Sequence, residues 1–226
     1  MVMMLSGHQP VYLPGIILFN KMALSDKFMF TGHCQYSPKS WQTRNNIRTG
    51  MLSVPVHKHL GQAINATQFV NDHWKRKHLR SIEMAYQKRP YFNDYFMLLL
   101  LTINRDWVSL GAMNIGLIIL LAEWFGIKTE ISISEQYDIT GHKTDMLIDM
   151  CKKTEADEYL SNEGARAYVD ETAMKRDGIT HRWQKFTHPT YEQGQKEFVP
   201  NLSAIDLLFN CGPDSGRIIR EAGHVD

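Results

Sequence analysis

Residues 7–14, GHQPVYLP, carry side chains that could bind or transform a ligand. The segment places His8, Gln9 and Tyr12 beside two prolines. Imidazole exchanges a proton near neutral pH, and an amide can donate and accept hydrogen bonds at once. Proline stiffens the chain and would hold these groups in fixed positions, as catalysis requires. The alternative is structural: the prolines shape a turn and His8 caps a backbone group.

A second segment, QYSPKSWQTRNNI at residues 35–47, combines basic, amide and aromatic side chains. It contains Lys39, Trp41, Arg44 and Asn45. A guanidinium group can bind a carboxylate or phosphate through two parallel hydrogen bonds, and an indole ring offers a flat face for stacking. The segment therefore predicts a binding loop for an anionic ligand. The alternative is a solvated basic loop.

Several later side chains fall where a predicted strand or helix ends. Ser161 follows a strand, which would place it at the same rim as His8. Asp170 would lie in the first turn of a helix, where a carboxylate is electrostatically favourable. The segment HPTYEQ repeats the pattern of His, Pro and Tyr with His188 and Tyr191.

The remaining serine, aspartate, histidine and cysteine residues give weaker evidence for a reactive or metal-binding site. Ser203 and Asp206 have the spacing of a helix N-cap and its third residue, as in a capping box. The histidines are scattered and no Cys-x-x-Cys pair occurs, so we expect no metal site. Cys34 follows His33, but neighbours on a strand point in opposite directions. We therefore expect Cys34 to be an inert, buried thiol.

Composition is that of an ordinary globular protein. The chain has 226 residues, of which 43% are hydrophobic and 22% charged, with a formal net charge of +1. That charge does not favour a polyanion, so no nucleic-acid partner is predicted. The longest apolar run, residues 115–122, is far shorter than the roughly 20 residues of a membrane span. Three separated cysteines and the lack of a signal peptide predict a cytoplasmic setting.

The order of elements predicts an α/β fold. A strand at 2–5, a helix from residue 15 and a strand within 26–36 would form a right-handed βαβ unit. Helical and strand patterns alternate again after Gly126, as in a parallel sheet. We expect a Rossmann-like domain over residues 1–226, with a largely parallel central sheet.

Two departures from simple alternation are expected within this domain. Residues 72–125 read as successive helices, which predicts a helical insertion. Residues 37–50 are rich in turn formers and are expected to be an ordered loop.

Such a sheet predicts where the ligand binds. Ligands of parallel sheets lie beyond the carboxyl ends of the strands, which is where GHQPVYLP falls. The helix after Pro14 would point its N-terminus at the same crevice and favour an anion. Nucleotidyl-transfer enzymes of the His-x-Gly-His type share this layout, but the second histidine of their motif is missing here.

The ordered set of segments resembles one family. HQPVYLP, QYSPKSWQTRNNI, VPV, WKRKHL, YQKRPYF, CKKTEADEYLSNEGARAYVD, HPTY and LSAIDLLFNCGP occur in the order expected of WbqC-like proteins. The resemblance runs from about residue 6 to residue 219. Family members occur with bacterial O-antigen and other surface-polysaccharide biosynthesis. They have been proposed to include glycine transferases that acylate a sugar amine.

The resemblance implies site residues. His8, Asp170 and His188 would be catalytic, with His8 as general base or oxyanion donor. His8, Arg44, Tyr168 and His188 are expected to converge on one pocket. The implied substrate-binding residues are Gln9, Tyr12, Lys39, Trp41, Arg44, Asn45, Ser161, Tyr168, Tyr191, Ser203, Asp206 and Asn210.

The function implied is amide formation. An acyl or aminoacyl group, for example glycyl, would move onto the amine of a nucleotide-linked amino sugar or a small amino-acid-like metabolite. ATP is the expected energy source if the acyl group is activated within the protein, and an aminoacyl-tRNA donor stays open. The alternatives are a nucleotidyltransferase-like enzyme and a non-catalytic sugar or metabolite binder.

Two positions depart from the family pattern. Gly15 stands where a Trp is usual, and Thr43 where an Asn is usual. These departures leave the acceptor open. The pathway, whether surface polysaccharide or natural product, and the oligomeric state are open as well.

Overall fold

A six-stranded sheet forms the centre of the fold. The structure, a computed structural model, describes residues 2–195 and 197–226. Across the sheet the strands are β5 (Glu130–Ile133), β2 (Lys27–Phe30), β1 (Met4–His8), β6 (Glu158–Ser161), β7 (Thr180–Phe186) and β8 (Gly223–Val225). The first five are parallel, and β8 pairs antiparallel with β7. The predicted Rossmann-like α/β fold with a largely parallel sheet is confirmed.

Helices cover both faces of this sheet. They are α1 (Ile16–Ala23), α2 (His73–Tyr86), α3 (Phe92–Ile103), α4 (Leu110–Trp124), α5 (Thr144–Thr154), α6 (Glu171–Arg176), α7 (Ile205–Cys211) and α8 (Ser215–Glu221). Side chains alternate along β2, so Phe28 and Phe30 pack into the cluster that contains α1. Met29 points to the other face, where α5 and α6 pack. This two-sided burial explains the apolar character of the central strands.

The expected loop at 37–50 is partly a β-hairpin. The loop contains β3 (Arg44–Ile47), which pairs antiparallel with β4 (Gly50–Ser53) at and beyond the loop's end, and residues 48–49 form the connection. Gly50 has a φ of 129°, which favours glycine at this tight reversal. The sequence pattern was misleading because β3 reads RNNI, with one apolar residue among four, and has a single partner strand.

The structure departs from the sequence pattern at two further elements. Helix α6 begins only at Glu171, because the carboxylate of Asp170 accepts a hydrogen bond from Ala173 N–H and caps the helix there. The edge strand β8 has three residues, too few for a recognisable alternation.

The helices α2, α3 and α4 lie between β4 and β5 in the chain, as the insertion pattern predicted. Buried residues of all three belong to the same hydrophobic cluster as α1, α7 and α8. For example, the ring centroids of Phe19 in α1 and Phe125, just after α4, are 4.9 Å apart. The assignment of residues 1–226 to one domain stays a prediction. In the described part of the chain, no helix has both the length and the apolar character to span a membrane.

Candidate functional site

Two adjoining cavities open at the carboxyl edge of the parallel strands, and His8 lines both. Their volumes are about 610 and about 340 Å³. His8 is the last residue of β1, whose neighbours are β2 on one side and β6 on the other. The chain leaves β1 toward β2 and reaches β6 only later. This is therefore the position where open α/β sheets bind their ligands.

The larger cavity, called the first cavity below, combines aromatic walls with a helix N-terminus. Trp41, Phe186 and His188 line it, together with residues 14–18 at the start of α1. The N-cap residue of α1, Gly15, has no side chain to bond the first-turn N–H groups. Free backbone N–H groups at a helix start attract anionic or strongly polar groups.

The smaller cavity, called the second cavity below, has a more polar lining. Its side chains include Gln9, Lys21, Ser161 and Tyr168. Ser161 ends β6, and its Oγ lies 2.9 Å from Nε2 of His181. Tyr168 is 41% exposed and forms part of the rim. Hydroxyl, amide and amine groups thus face one small volume, and they are suited to orienting a small polar ligand.

The protonation state of His8 follows from one contact. Its Nδ1 lies 2.7 Å from the backbone oxygen of Gln9. A carbonyl oxygen can only accept a hydrogen bond, so Nδ1 carries the hydrogen and Nε2 keeps its lone pair. Burial, reinforced by the nearby ammonium of Lys21, lowers the pKa of His8 to about 4. At neutral pH the ring is uncharged and can accept a proton at Nε2.

Amide side chains hold the loop after β1 in place. Asn45 Nδ2 donates to the backbone oxygen of Leu13 at 2.7 Å, and Gln42 Nε2 donates to Gln9 Oε1 at 2.8 Å. Asn114, from α4, donates to the backbone oxygen of Gln42 at 2.8 Å. Asn45 also lines the first cavity, so it both orients the loop and borders the site.

Tyr12 is a core residue rather than a ligand contact. Its side chain is fully buried, and its hydroxyl lies 3.0 Å from Nδ1 of His78. Ser53 N–H donates to the other ring nitrogen, so Nδ1 of His78 carries the hydrogen and donates to the tyrosine oxygen. The expected substrate-binding role of Tyr12 is corrected: it anchors the loop against α2.

The two basic residues expected to bind an anion lie outside both cavities. Lys39 is exposed, on a turn with φ of 58°. Arg44 is half-buried at the start of β3 and lines neither cavity. The structure therefore does not bring His8, Arg44, Tyr168 and His188 into one pocket. It places His188 in the first cavity and Tyr168 in the second, with His8 between.

His188 borders the first cavity but has no ring nitrogen free. Its Nδ1 lies 2.9 Å from the backbone oxygen of Pro189, and its Nε2 accepts a hydrogen bond from Asn201 N–H at 3.1 Å. Because backbone groups occupy both ring nitrogens, His188 forms part of the cavity wall and has no nitrogen available to exchange a proton with a ligand. Asp170 is exposed, outside both cavities, and its carboxylate caps α6. Neither arrangement suits the catalytic role expected from the sequence.

A separate polar cluster contains four of the remaining predicted residues. Asp206 is fully buried and accepts hydrogen bonds from the Tyr191 hydroxyl at 2.8 Å and from Gln193 Nε2 at 2.9 Å. Burial raises the pKa of Asp206. Asn210 Nδ2 donates to its backbone oxygen, and Ser203 is buried at the start of the same segment. This cluster braces α7 and does not line the two cavities.

The thiol of Cys34 lines the second cavity. Residues 31–34 form a turn rather than a strand, so His33 and Cys34 do not point apart as strand neighbours would. Their Nε2 and Sγ atoms are 4.0 Å apart. Burial raises the pKa of Cys34, and it lowers that of His33, so a thiolate–imidazolium pair is not favoured. Among the described residues, no group of three His, Cys, Asp or Glu side chains is arranged to hold a metal ion.

Comparison with known proteins decides the family. The sequence model of the WbqC-like protein family matches residues 9–218. The chain belongs to this family. An uncharacterized protein of Mycobacterium tuberculosis is 29% identical over 220 residues, which cover 94% of this chain and 95% of that relative. No solved structure matches this WbqC-like chain significantly.

One departure of this WbqC-like chain from the expected family pattern lies in the first cavity. Gly15, where the resemblance implies a Trp, lines that cavity. A Cβ at Gly15 would have Leu202 O at 3.5 Å as its nearest neighbour, so a larger side chain would extend into open space. The glycine therefore leaves the first cavity more open than an indole would.

Lys21 also lines the second cavity, although no motif in the sequence pointed to it. It is 3% exposed, and its Nζ donates to the backbone oxygen of Gly7 at 2.8 Å. Burial lowers the pKa of Lys21 to about 7. The available signal was that Lys21 is the one charged residue of α1, a helix that otherwise reads IILFN and MA.

Proposed function

We propose that this WbqC-like protein is a two-substrate enzyme that forms an amide. The observation that carries the proposal is the position of His8 between two cavities with its Nε2 lone pair free. Two neighbouring subsites suit an acyl donor and an amine acceptor that must meet at one proton-accepting group. The remaining expected catalytic residues are not needed, because His8 alone borders both volumes.

The chemical step follows from that geometry. The acceptor nitrogen attacks the acyl carbonyl carbon, so a C–N bond forms and the carbonyl becomes an oxyanion. The attacking nitrogen gains a positive charge and becomes more acidic than in the free amine, and His8 Nε2 takes its proton. When the oxyanion collapses, the bond from carbon to the leaving group breaks and the imidazolium returns the proton to that group. Because the pKa of His8 is lowered to about 4, the ring is neutral at pH 7 and its Nε2 lone pair is available to the attacking nitrogen.

The two cavities suggest which substrate binds where. The first cavity is larger, about 610 Å³, and has the half-exposed indole of Trp41, so we assign it the nucleotide-linked amino sugar. We assign the acyl or aminoacyl group to the second cavity, about 340 Å³. ATP would supply the activation if the acyl group arrives as a free acid, and glycyl is one candidate group. We place the reaction in the cytoplasm, in a surface-polysaccharide or natural-product pathway.

Product analysis tests this proposal. The protein is incubated with a nucleotide-linked amino sugar, glycine and ATP, and in parallel with glycyl-tRNA in place of glycine and ATP. Mass spectrometry should detect the sugar nucleotide enlarged by one acyl group, and the His8→Ala protein should form far less of it. If a panel of amino acids and amino sugars yields no amide from the wild-type protein, the proposal is wrong.

The β1–His8–α1 arrangement also favours a second candidate, a nucleotidyltransferase-like enzyme. The N-terminus of α1 faces the first cavity, where a nucleotide phosphate would fit. Such an enzyme would release pyrophosphate from ATP and leave the nucleotide on its product, whereas amide formation leaves no ATP-derived nucleotide attached. A non-catalytic binder would release no pyrophosphate. When glycine and ATP are the acyl source, isotope-labelled ATP therefore separates the three functions in one assay.

A further inference from the structure

The second cavity contains a cation without an anion. Its lining includes the Lys21 amine and the hydroxyls of Ser161 and Tyr168, and none of its described lining residues is Asp or Glu. Within residues 2–195 and 197–226, no carboxylate oxygen lies within ion-pair distance of Lys21 Nζ. A lysine that is 3% exposed is thus held beside a cavity with no counter-ion of its own.

Burial of an unpaired ammonium group destabilises the fold, so the buried position of Lys21 indicates a role other than stability. Removing a charge from water costs several kcal/mol unless a partner compensates. Lys21 uses one of its three N–H donors on the backbone oxygen of Gly7, at 2.8 Å. Two donors are left for a ligand at the edge of the cavity. The pKa of Lys21 is lowered to about 7, because burial disfavours the charged form and no carboxylate offsets this effect.

A helix start adds a second positive potential. Met146 and Leu147, in the first turn of α5, line the same cavity. No side chain caps the N–H groups at this end of α5, an 11-residue helix. The macrodipole and these N–H groups attract negative charge. Asp145 lies in the same turn, but it is exposed and does not line the cavity.

We propose that the second cavity is an oxyanion subsite, in which Lys21 is the counter-ion of a carboxylate or phosphate group on a substrate. This deepens the proposed function and rests on it in treating the anion as part of the acyl donor. It also replaces Lys39 and Arg44 as the anion-binding residues. A volume of about 340 Å³ is sufficient for an amino acid or a small phosphate ester.

Binding of simple anions tests the subsite without turnover. The wild-type protein is titrated calorimetrically with inorganic phosphate, pyrophosphate, acetate and glycine, in two buffers that differ in ionisation enthalpy. An anion that pairs with Lys21 will stabilise its ammonium form, so binding near pH 8.5 should take up close to one proton. The apparent affinity should fall roughly tenfold between pH 8 and pH 9. Preference for phosphate or for carboxylate identifies which group the substrate carries.

Matched variants link the effect to Lys21. Lys21→Met removes the charge and should abolish both the binding and the proton uptake. Lys27→Met removes a charge from the opposite end of the sheet, where Lys27 pairs with Glu130 at 2.9 Å, and should leave both unchanged. A thermal melt establishes that each variant is folded. The proton uptake of the wild-type protein is informative even if Lys21→Met does not fold.

Two outcomes would overturn the subsite. One is that none of the four anions binds at concentrations up to about 10 mM, because a dedicated anion site should have a lower dissociation constant than that. The other is that binding occurs without proton uptake and survives in Lys21→Met. These results are independent of the amide product. Anion binding without any amide would refute the proposed function alone, and amide formation unaffected by Lys21→Met would refute the subsite alone.

Discussion

At the scale of single residues, the free Nε2 of His8 is the feature on which the proposed chemistry depends. Replacement of His8 by Ala removes the proton acceptor, and we expect the turnover rate to fall by about 100-fold or more. The Michaelis constants should change less, because the walls of both cavities remain. Steady-state kinetics in the amide assay measures both quantities.

The matched control for His8 is His59→Ala, at an exposed histidine outside both cavities. This variant should keep the wild-type rate. A His8→Ala protein with full turnover and only a lower melting temperature would mean that the histidine serves the turn and not the reaction.

A second residue, His78, makes the fold sensitive to acid. Burial lowers the pKa of His78 from 6.5 to about 4. As the pH falls below 6.5, His78 becomes protonated in the unfolded chain. In the folded chain it stays neutral until the pH approaches about 4. The stability due to the neutral ring is therefore complete above pH 6.5 and is lost progressively down to pH 4.

Denaturant titrations of wild-type protein and His78→Gln, at about pH 7 and about pH 5, measure this effect. The wild-type protein should lose about 2 kcal/mol more than the variant between the two pH values. Other acid-sensitive groups, His8 included, are present in both proteins and cancel in the comparison. Equal losses would show that His78 titrates normally in the folded state.

At the scale of elements, α8 depends on a close approach at Gly216. A Cβ added there would lie 2.1 Å from the backbone oxygen of Phe125, just after α4. A backbone oxygen cannot move aside as a flexible side chain can. We expect Gly216→Ala to lower the free energy of unfolding by about 2 kcal/mol or more, as measured by chemical denaturation.

Gly164→Ala is the control for this steric effect. The nearest atom to its added Cβ is Asn162 Oδ1 at 3.5 Å, an ordinary contact, and the backbone has no positive φ. The free energy of unfolding should change by less than about 0.5 kcal/mol. A Gly216→Ala protein as stable as the control would mean that α8 and α4 separate more easily than the packing indicates.

The elements also show which patterns were readable in the sequence. Strands β1, β2 and β6 and the helices between them were predictable, because burial gives the helices a local period and the strands short apolar runs. Strand β3 and its pairing with β4 were not, since the polar residue Asn45 of β3 bonds the loop after β1 rather than following an apolar pattern. The hydrogen bond from Asn45 to Leu13 joins positions 32 residues apart in the chain.

At the scale of the whole molecule, the two cavities predict separable substrate effects. Trp41→Ala removes a wall of the first cavity, and Ser161→Ala removes a hydroxyl of the second. Trp41→Ala should raise the Michaelis constant of the amino-sugar substrate by about tenfold, from lost stacking, and leave that of the acyl donor unchanged. Ser161→Ala should affect the acyl donor instead.

Kinetics with each substrate varied in turn distinguishes this model from a single shared pocket. In a shared pocket both variants would raise the same Michaelis constant. Lys39→Ala is the control, because its exposed side chain lies outside both cavities, and it should change neither constant.

The sequence by itself determined the fold class, the family resemblance and the sheet edge at which the candidate site lies. Alternating strand and helix patterns led to the parallel α/β sheet, and the position of His8 after the first strand placed it at the ligand-binding edge. Trp41, Ser161 and Tyr168 also line the cavities: Ser161 ends β6, Tyr168 lies between β6 and α6, and Trp41 lies in the loop before β3.

Only the tertiary structure decided which polar groups share a volume. Lys21 was missed because the rotation of α1 about its axis, which buries the lysine beside Gly7, is determined by packing rather than by local sequence. Arg44 and Tyr12 were assigned to the site from their neighbours in the chain, yet one lies outside the cavities and the other lies in the core. Secondary structure follows from short-range periodicity, whereas a cavity is formed by long-range contacts that no single segment encodes.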